Sequence, residues 1–393
     1  MSAIELCAPP NTPEKELTYR IQRFREAMLN SEVSAIVITS RINFEYLTGY
    51  RSTAWGFQAR PMFAILSLDD FIVVDSMVGE RYIAMHPRPF RPVYYNGFQA
   101  EAVKTVIEVI RQLNLGQNPT VAIDYGQDIF GRGSLELIDG LRGLHGKMRV
   151  ISGEQIVWSV RKYKTQFEAN LKKRALAIVD VSFDKAIANA RVGITELELL
   201  SSIKVNLIQN GAEHVDDAGL KFGKVGFVYT LPAGDRRLEA GDYIWSDFYT
   251  TYCGYSADRC RIARCGEPSE QEAKIYHDVR AVTIGLCESI RPGMTCSDVY
   301  RHFERLWSDA GLPPNFGATS RIGHSSGMEV TEPTSIASWS EELIEVGMIL
   351  QLEPKLEKDG TVVQFEEVVY VRPDGVEFLS AMPPETLPVI SIE

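Results

Sequence analysis

Residues 241–263 have the sequence GDYIWSDFYTTYCGYSADRCRIA, which places two aspartates within otherwise apolar β-rich runs. Asp247 follows a tyrosine, an isoleucine and a tryptophan, and Asp258 lies shortly before Ile262. A hairpin turn at Thr251–Gly254 pairs Asp247 directly with Asp258 on one face, with Cβ atoms about 4.5–5.5 Å apart. Two carboxylates so close repel each other unless a proton or a cation lies between them. This stretch therefore predicts a β-hairpin in which a proton or a cation lies between the two carboxylates on one face.

A second hairpin repeats the arrangement about a hundred residues later. Residues 348–371, MILQLEPKLEKDGTVVQFEEVVYV, contain Asp359–Gly360, which is a strong signal for a two-residue turn. A turn there places Glu353 opposite Glu366 and directs Glu367 to the other face. A single acid in a strand is explained by exposure to solvent at the edge of a sheet. That explanation does not fit four acids that pair across strands beside large apolar neighbours.

Four carboxylates and one imidazole form a ligand set for two hard or borderline divalent cations. We assign the imidazole to His324, which lies in the glycine-flanked segment SRIGHSSGMEVTEP, residues 320–333. The remaining histidines are interpreted as ordinary core or surface residues: His86, His145, His214, His277 and His302.

The succession of short strands and helices divides the chain into two parts. The first part predicts an α/β domain with a mixed sheet. Its expected helices are 12–30, 99–114 and 133–143, and its expected strands are 33–39, 61–68, 71–75 and 120–124. The second part begins with helices at 165–190 and 195–210 and continues with strands and hairpins, interrupted by helices at 268–290 and 296–310. That order predicts an α+β domain, so we expect domains 1–160 and 161–393.

Composition excludes several functional classes. The 393 residues are 45% hydrophobic and 24% charged, as in globular proteins, and the net charge of −11 argues against nucleic acids and anionic membranes as partners. No apolar run approaches the roughly 18 residues of a membrane span. The first 20 residues lack the pattern of a signal peptide. The six cysteines form no CxxC pair, which indicates free thiols and a cytoplasmic location.

The spacing of the candidate ligands resembles that of a known family. The matching residues, in chain order, are Asp247, Gly254-Tyr255, Asp258, Arg261, Gly323-His324, Gly327, Glu353-Pro354, Glu366-Glu367 and Asp374-Gly375. This set resembles the pita-bread metallopeptidases of family M24, which include creatinase, prolidase, aminopeptidase P and methionine aminopeptidase. The resemblance implies an α+β fold class, with a C-terminal pita-bread catalytic domain preceded by a smaller α/β creatinase-type N-terminal domain.

The resemblance also implies a role for each ligand. Asp247 would bind one metal ion, His324 and Glu353 would bind the other, and Asp258 and Glu366 would bridge the two. Paired metal ions lower the pKa of bound water and polarise a scissile carbonyl. Glu353 is the expected general base. The two ions could be manganese, zinc, cobalt or iron, because all of these tolerate a carboxylate-rich site with one histidine.

Three positions depart from the family pattern. Peptidases of this family carry two further histidines that hold the substrate carbonyl, and here Thr230 and Thr331 occupy those catalytic positions. A threonine hydroxyl donates a hydrogen bond but carries no positive charge near pH 7. Tyr249 replaces a family glycine two residues after the first aspartate, so we expect it to contact substrate. Replacement of a lost donor by another side chain, such as Tyr229, Glu329 or Glu332, remains open.

The first half of the chain adds one candidate residue. Arg60, in Phe57-Gln58-Ala59-Arg60-Pro61, resembles the arginine that creatinase presents to a substrate carboxylate in the partner subunit. An arginine fork matches the two oxygens of a carboxylate. The alternative is a surface arginine at the start of a strand. If Arg60 has the family role, the active form is a homodimer.

Three functions remain open on these residues. The first is a binuclear metallohydrolase that cleaves a C–N bond, either an amide or an Xaa-Pro-like bond, of a dipeptide or another small substrate. The second is a non-peptidase member of the family that acts on a small N-substituted acid, as a hydrolase or a lyase. The third is a non-catalytic pita-bread module that binds a peptide, and this one predicts degraded ligands, whereas all five are present.

Overall fold

The computed structural model describes residues 11–86, 88–125, 134–144, 148–215, 219–223, 231–314, 321–358 and 361–392. The chain forms two compact units, and the division falls between Arg161 and Lys162. Within the described residues, no helix combines the length and the apolar character needed to cross a membrane.

Within its described residues, the first unit consists of six α-helices, two short 3-10 helices and one sheet. The helices are α1 (Glu14–Asn30), α2 (Arg41–Thr48), α3 (Glu80–Met85), α4 (Gln99–Gln112), α5 (Leu135–Leu144) and α6 (Glu154–Arg161). The strands are β1 (Ala35–Ile38), β2 (Phe63–Ser67), β3 (Phe71–Ser76), β4 (Arg91–Tyr95), β5 (Thr120–Ile123) and β6 (Arg149–Ser152). The prediction missed α2, α3 and α6, since one or two turns are too short to show a clear helical period.

The sheet of the first unit has the order β4-β3-β2-β1-β5-β6. Its central pairs, β1 with β2 and β2 with β3, are antiparallel, whereas β3 with β4, β1 with β5 and β5 with β6 are parallel. The predicted mixed sheet is therefore confirmed. Val106 and Ile110 of α4 and Leu137 of α5 belong to the same buried core as Val37 and Val121 of the central strands.

The second unit, in its described part, contains four helices and twelve strands. The helices are α7 (Gln166–Ala188), α8 (Glu196–Gln209), α9 (Glu270–Ser289) and α10 (Cys296–Asp309). The strands are β7 (His214–Val215), β8 (Gly219–Gly223), β9 (Tyr243–Tyr252), β10 (Tyr255–Cys265), β11 (Arg321–Ser325), β12 (Glu332–Ala337), β13 (Ile349–Leu352), β14 (Lys355–Lys358), β15 (Thr361–Gln364), β16 (Glu367–Arg372), β17 (Gly375–Phe378) and β18 (Val389–Ile390).

Each described helix of the second unit begins at a capping box. In this motif the hydroxyl of the N-cap residue accepts a hydrogen bond from the backbone N–H three residues later, and the acidic side chain of that later residue accepts one from the N-cap backbone N–H. The pairs are Thr165 with Glu168, Thr195 with Glu198, Ser269 with Glu272 and Thr295 with Asp298. These caps explain why the predicted helix starts agree with the observed starts to within two residues.

Two sheets carry the candidate ligands. One has the order β18-β10-β9-β7, with β8 also paired to β9, and the other has the order β12-β11-β13-β16-β17. Strands β14 and β15 form a separate hairpin. Val279 and Leu286 of α9, Phe303 and Trp307 of α10 and Leu350 of β13 share one buried core. The second unit is α+β, as predicted.

Candidate metal centre

The β9–β10 hairpin brings Asp247 and Asp258 to one face. Tyr252 pairs with Tyr255 around a two-residue turn, Cys253–Gly254, where φ is 53° and 79°. Positive φ at both central residues is the signature of a type I′ turn, which favours glycine at the second position. Tyr249 is therefore the residue opposite Asp258.

The predicted direct pairing of the two aspartates was wrong by two residues. That pairing required a turn centred on Tyr252 and Cys253, which leaves Gly254 outside the positions where its conformational freedom is needed. Asp247 instead faces Cys260 across the ladder. Because the error is an even number of residues, the two aspartates remain on the same face, as diagonal neighbours.

The second predicted register is confirmed. Lys355 pairs with Gln364 in the β14–β15 hairpin, and Leu352 pairs with Glu367 in the β13–β16 ladder. Both ladders have the register that places Glu353 opposite Glu366 in the short gap between them. The turn residues 359 and 360 lie outside the described part of the chain.

One close backbone contact and one close side-chain contact explain the glycines around His324. A Cβ atom at Gly323 would lie 2.2 Å from the Gln351 carbonyl oxygen on the adjacent strand, and one at Gly327 would lie 2.6 Å from Glu332 Oε1. Only glycine avoids both collisions without a shift of its neighbours. The glycines of this segment therefore let its neighbours pack closely on both sides of His324.

His324 presents one ring nitrogen to the carboxylates. Its Nδ1 lies 3.0 Å from the Ser325 carbonyl oxygen, which only accepts, so Nδ1 carries the proton. Nε2 is then left with its lone pair, 3.8 Å from Glu353 Oε1 and 4.0 Å from Asp258 Oδ2. Burial lowers the pKa of His324 to about 4, which keeps the ring in the neutral form that binds metals.

Asp258, Glu353 and Glu366 lie around this ring, and Asp247 lies beside Asp258; we call these four residues the carboxylate cluster. Asp258, Glu366 and His324 each offer a ligand atom within 4.8 Å of the others. The backbone N–H of Cys260 donates to Glu366 Oε2. The Oδ1 atom of Asp247 is buried and has no hydrogen-bond partner among the described residues.

The electrostatics of the cluster favour added positive charge. Burial, reinforced by the neighbouring carboxylates, raises the pKa values of Asp258 and Glu366 well above their usual range. The same two causes raise the pKa of Glu353 to about 7, and burial raises the pKa of Asp247. Four crowded carboxylates, a neutral imidazole and an orphaned buried oxygen fit a site for divalent cations.

The opposite face of the same strands holds a second set of charges, which we call the arginine network: Arg259, Arg261, Asp180 and Glu367. Arg259 Nε lies 2.9 Å from Asp180 Oδ1, and Arg259 Nη1 lies 2.9 Å from Glu367 Oε2. Arg261 reaches the same two acids at 3.2 and 3.4 Å. Glu367 therefore points away from Glu366, as predicted.

Two buried polar residues beside the cluster were missed. Gln351 Nε2 donates to Asp258 Oδ2 at 2.8 Å and to Glu366 Oε1 at 2.6 Å. Lys172, on α7, is fully buried. A glutamine within an apolar strand and a lysine on the buried stripe of a helix are the signals that could have found them, since such residues are rarely buried without partners.

The remaining predicted residues have different settings. Tyr249 is half-buried on the cluster face, whereas Thr331 is exposed just before β12. Thr230 and Tyr229 lie outside the described residues. Glu332, considered above as a replacement donor, binds Lys164 Nζ at 2.7 Å. Arg60, in the first unit, is half-buried with its guanidinium 5.4 Å from the Phe98 ring centroid.

Comparison with known proteins identifies the family of this chain. Residues 170–373 match the model of metallopeptidase family M24, and residues 20–162 match that of the Creatinase/Prolidase N-terminal domain. The chain belongs to family M24. An uncharacterized peptidase of Staphylococcus aureus (strain USA300) is 24% identical over 365 residues, which cover 92% of this chain and 98% of that protein.

Solved structures of other proteins share the fold. An Xaa-Pro dipeptidase from Bacillus anthracis has a TM-score of 0.80 at 21% identity and covers 95% of this chain and 99% of its own. A prolidase from Pyrococcus furiosus has a TM-score of 0.76 at 21% identity and covers 92% and 100%. The predicted pita-bread fold with a creatinase-type N-terminal domain is therefore confirmed for this M24 protein.

Proposed function

We propose that this M24 protein is a binuclear metal-dependent hydrolase that cleaves a C–N bond of a small substrate. The observation that carries the proposal is the grouping of Asp258 and Glu366 with the neutral His324 imidazole, whose ligand atoms lie within 4.8 Å of one another, with Glu353 and Asp247 beside them. Asp247 would bind one ion, His324 and Glu353 the other, and Asp258 and Glu366 both. When bound, the ions activate water and polarise the scissile carbonyl.

Glu353 is the proposed general base. In the metal-free protein, burial and the Asp247 carboxylate raise its pKa to about 7, so this carboxylate holds a proton more readily than an ordinary glutamate does. Its side chain remains 22% exposed, so a water or substrate proton can reach it. Glu353 accepts the proton of the attacking water and then delivers it to the departing nitrogen.

A small N-substituted acid, acted on as a hydrolase or lyase substrate, is the second candidate. Threonines 230 and 331 stand at the two family histidine positions and offer neutral hydroxyls in place of imidazoles, and Thr331 is exposed. Tyr249 lies opposite Asp258 and reduces the space on the metal face. These features favour a compact substrate whose leaving group needs less acid assistance than the nitrogen of an Xaa-Pro bond.

A metal-reconstituted activity screen tests both candidates. Xaa-Pro dipeptides are compared with small N-acyl and N-alkyl amino acids after loading with Mn²⁺ or Zn²⁺ at equal metal occupancy. Because a lost oxyanion donor typically costs about 10²–10³ in kcat, we expect dipeptides to be turned over that much more slowly than by peptidases with both histidines. Efficient dipeptide turnover would favour the first candidate over the second.

Asp258→Ala is the control for the screen. Asp258 is a proposed bridge, so its loss removes a ligand from both ions, and elemental analysis should find neither metal bound. Absence of metal from the loaded wild-type protein, or turnover that survives this variant and a chelator, would contradict the proposed hydrolase.

We also propose a homodimer in which Arg60 binds an anionic group of the substrate in the partner's site. Arg60→Ala should raise KM for an anionic substrate with little effect on kcat, because it removes a binding contact rather than a ligand of the metals. Ultracentrifugation reports the assembly. A fully active monomer would contradict this part of the proposal.

A cytoplasmic location is proposed from the thiols. Within the described residues, four buried cysteines have free thiols: Cys260, Cys265, Cys287 and Cys296. Free thiols are typical of reducing compartments.

A further inference from the structure

Lys172 joins the two segments that carry His324 and Asp258. Its Nζ donates to Ser326 Oγ at 2.5 Å and to Ser256 Oγ at 3.2 Å. Ser326 lies two residues after His324, and Ser256 lies two residues before Asp258 on the same face of β10. The Lys172 ammonium group therefore connects the His324 segment to β10 through two serine hydroxyls, and it is not itself a metal ligand.

The surrounding hydrogen bonds fix the direction of this contact. The Ser256 hydroxyl lies 3.1 Å from the Gly327 carbonyl oxygen and 3.0 Å from the Glu329 carbonyl oxygen. Both oxygens only accept, so the single hydroxyl proton of Ser256 points toward these two carbonyls. The Ser256 backbone N–H also donates to Gly327 O at 3.0 Å. The hydroxyl oxygen is thus left to accept from Lys172.

A second lysine holds the same segment from another side. Lys164 Nζ lies 2.7 Å from Glu332 Oε2 and 3.4 Å from Ser325 Oγ. The two serines that follow His324 are therefore each bonded to a different buried lysine. This arrangement restrains the short segment between His324 and Gly327, which otherwise connects a strand to a loop.

We propose that Lys172 is a positioning residue of the metal centre, which holds the His324 segment against β10 so that the imidazole and Asp258 remain in binding geometry. The inference rests on the metal site of the proposed function. Ser326 and Lys172 are both completely buried. A substrate cannot reach them, so the pair is not a serine–lysine nucleophile.

Two effects of Lys172 on metal affinity have opposite signs. Its positive charge, close enough to Asp258 and Glu366 to interact with both, repels an added cation. Its hydrogen bonds hold the ligands in place and favour that cation. Removal of the side chain therefore strengthens metal binding if Lys172 acts only as a charge, and weakens it if Lys172 is a positioning residue.

Titration of the metal-free full-length protein with Mn²⁺ distinguishes these alternatives. Lys172→Met should raise the Kd about 10- to 100-fold, as for residues that orient metal ligands. Ser326→Ala keeps the charge and removes one anchor, so its Kd should rise by a smaller factor. The matched control is Lys185→Met on the same helix, which loses a hydrogen bond to Asn210 at 3.0 Å and should keep the wild-type Kd.

The outcomes separate this inference from the proposed function. If the wild-type protein binds no Mn²⁺, the proposed metal centre fails, and the inference fails with it. If the wild type binds Mn²⁺ and Lys172→Met binds it equally well or more tightly, only the inference is overturned. Should Lys172→Met not fold, Ser326→Ala decides, and an unchanged Kd in that variant overturns the inference.

Discussion

The carboxylate cluster and the arginine network lie on opposite faces of the same strands, and they differ in what neutralises their acids. Consecutive residues of β10, Asp258 and Arg259, point to different faces, and so do Glu366 and Glu367. In the arginine network two arginines bind two acids at 2.9–3.4 Å. In the carboxylate cluster four acids lie close together, and the imidazole beside them is itself neutral.

The pKa shifts have different causes on the two faces. Burial raises the pKa of Glu367, but Arg259 opposes that rise. Burial also raises the pKa of Asp258, and there Asp247 and Glu353 raise it further. Strand alternation therefore produces one face on which arginines pair with the buried acids, and one on which buried acids face each other, where we propose the metal centre.

The largest expected effect is on the arginine network. Arg259→Met leaves Asp180 and Glu367 buried without this partner, which should lower the free energy of unfolding by about 3–5 kcal/mol. Urea denaturation measures the loss. Adding Glu367→Gln to the variant removes one uncompensated charge and should recover part of it. An Arg259→Met protein as stable as the wild type would show that the network is not what stabilises this face.

Two adjacent glutamates give the sharpest comparison between the faces. Glu366→Gln removes one of four mutually repelling carboxylates, so the metal-free variant should be at least as stable as the wild type. Glu367→Gln breaks a buried ion pair and should be less stable. The two substitutions are chemically identical and differ only in the face that they alter.

Metal addition completes this test. At a free Mn²⁺ concentration of about 100 Kd, binding stabilises the folded state by about 2.7 kcal/mol. Calorimetry should show the resulting rise in Tm, and its loss on chelation, for the wild type and Glu367→Gln but not for Glu366→Gln. The rise should shrink as the pH falls below about 7, because protons compete with the metal for Glu353 and its neighbours. A Tm rise that Glu366→Gln retains would contradict the assignment of the cluster as the metal centre.

The candidate ligands were predictable from sequence because strand alternation and turn chemistry are local. The turn signal at Asp359–Gly360 predicted the register that the two flanking ladders have, with Glu353 opposite Glu366. In the first hairpin the choice of turn residues was wrong, yet Asp247 and Asp258 were still assigned to one face, since an even error preserves the face.

The supporting residues were not predictable in the same way. Lys172 lies 84 residues before Ser256 and 154 before Ser326, and only the packing of α7 brings them together. Gln351 contacts Glu366 within its own hairpin, but its contact with Asp258 joins two different sheets. Local patterns therefore identified the candidate ligands, whereas Lys172 and Gln351 reach them through contacts between distant parts of the chain.

The smallest expected effect concerns the turn that decides which side chains reach each face. Cys253 has φ of 53° and Gly254 has φ of 79°, and a non-glycine residue in this region is strained. Asparagine tolerates it better, so Cys253→Asn should raise the free energy of unfolding by about 0.5 kcal/mol, with Mn²⁺ affinity unchanged because the register is unchanged. Gly254→Ala is the matched control of opposite sign, and should cost about 1–2 kcal/mol. A stability loss in Cys253→Asn, or a gain in Gly254→Ala, would contradict the type I′ turn and with it the register that separates the carboxylate cluster from the arginine network.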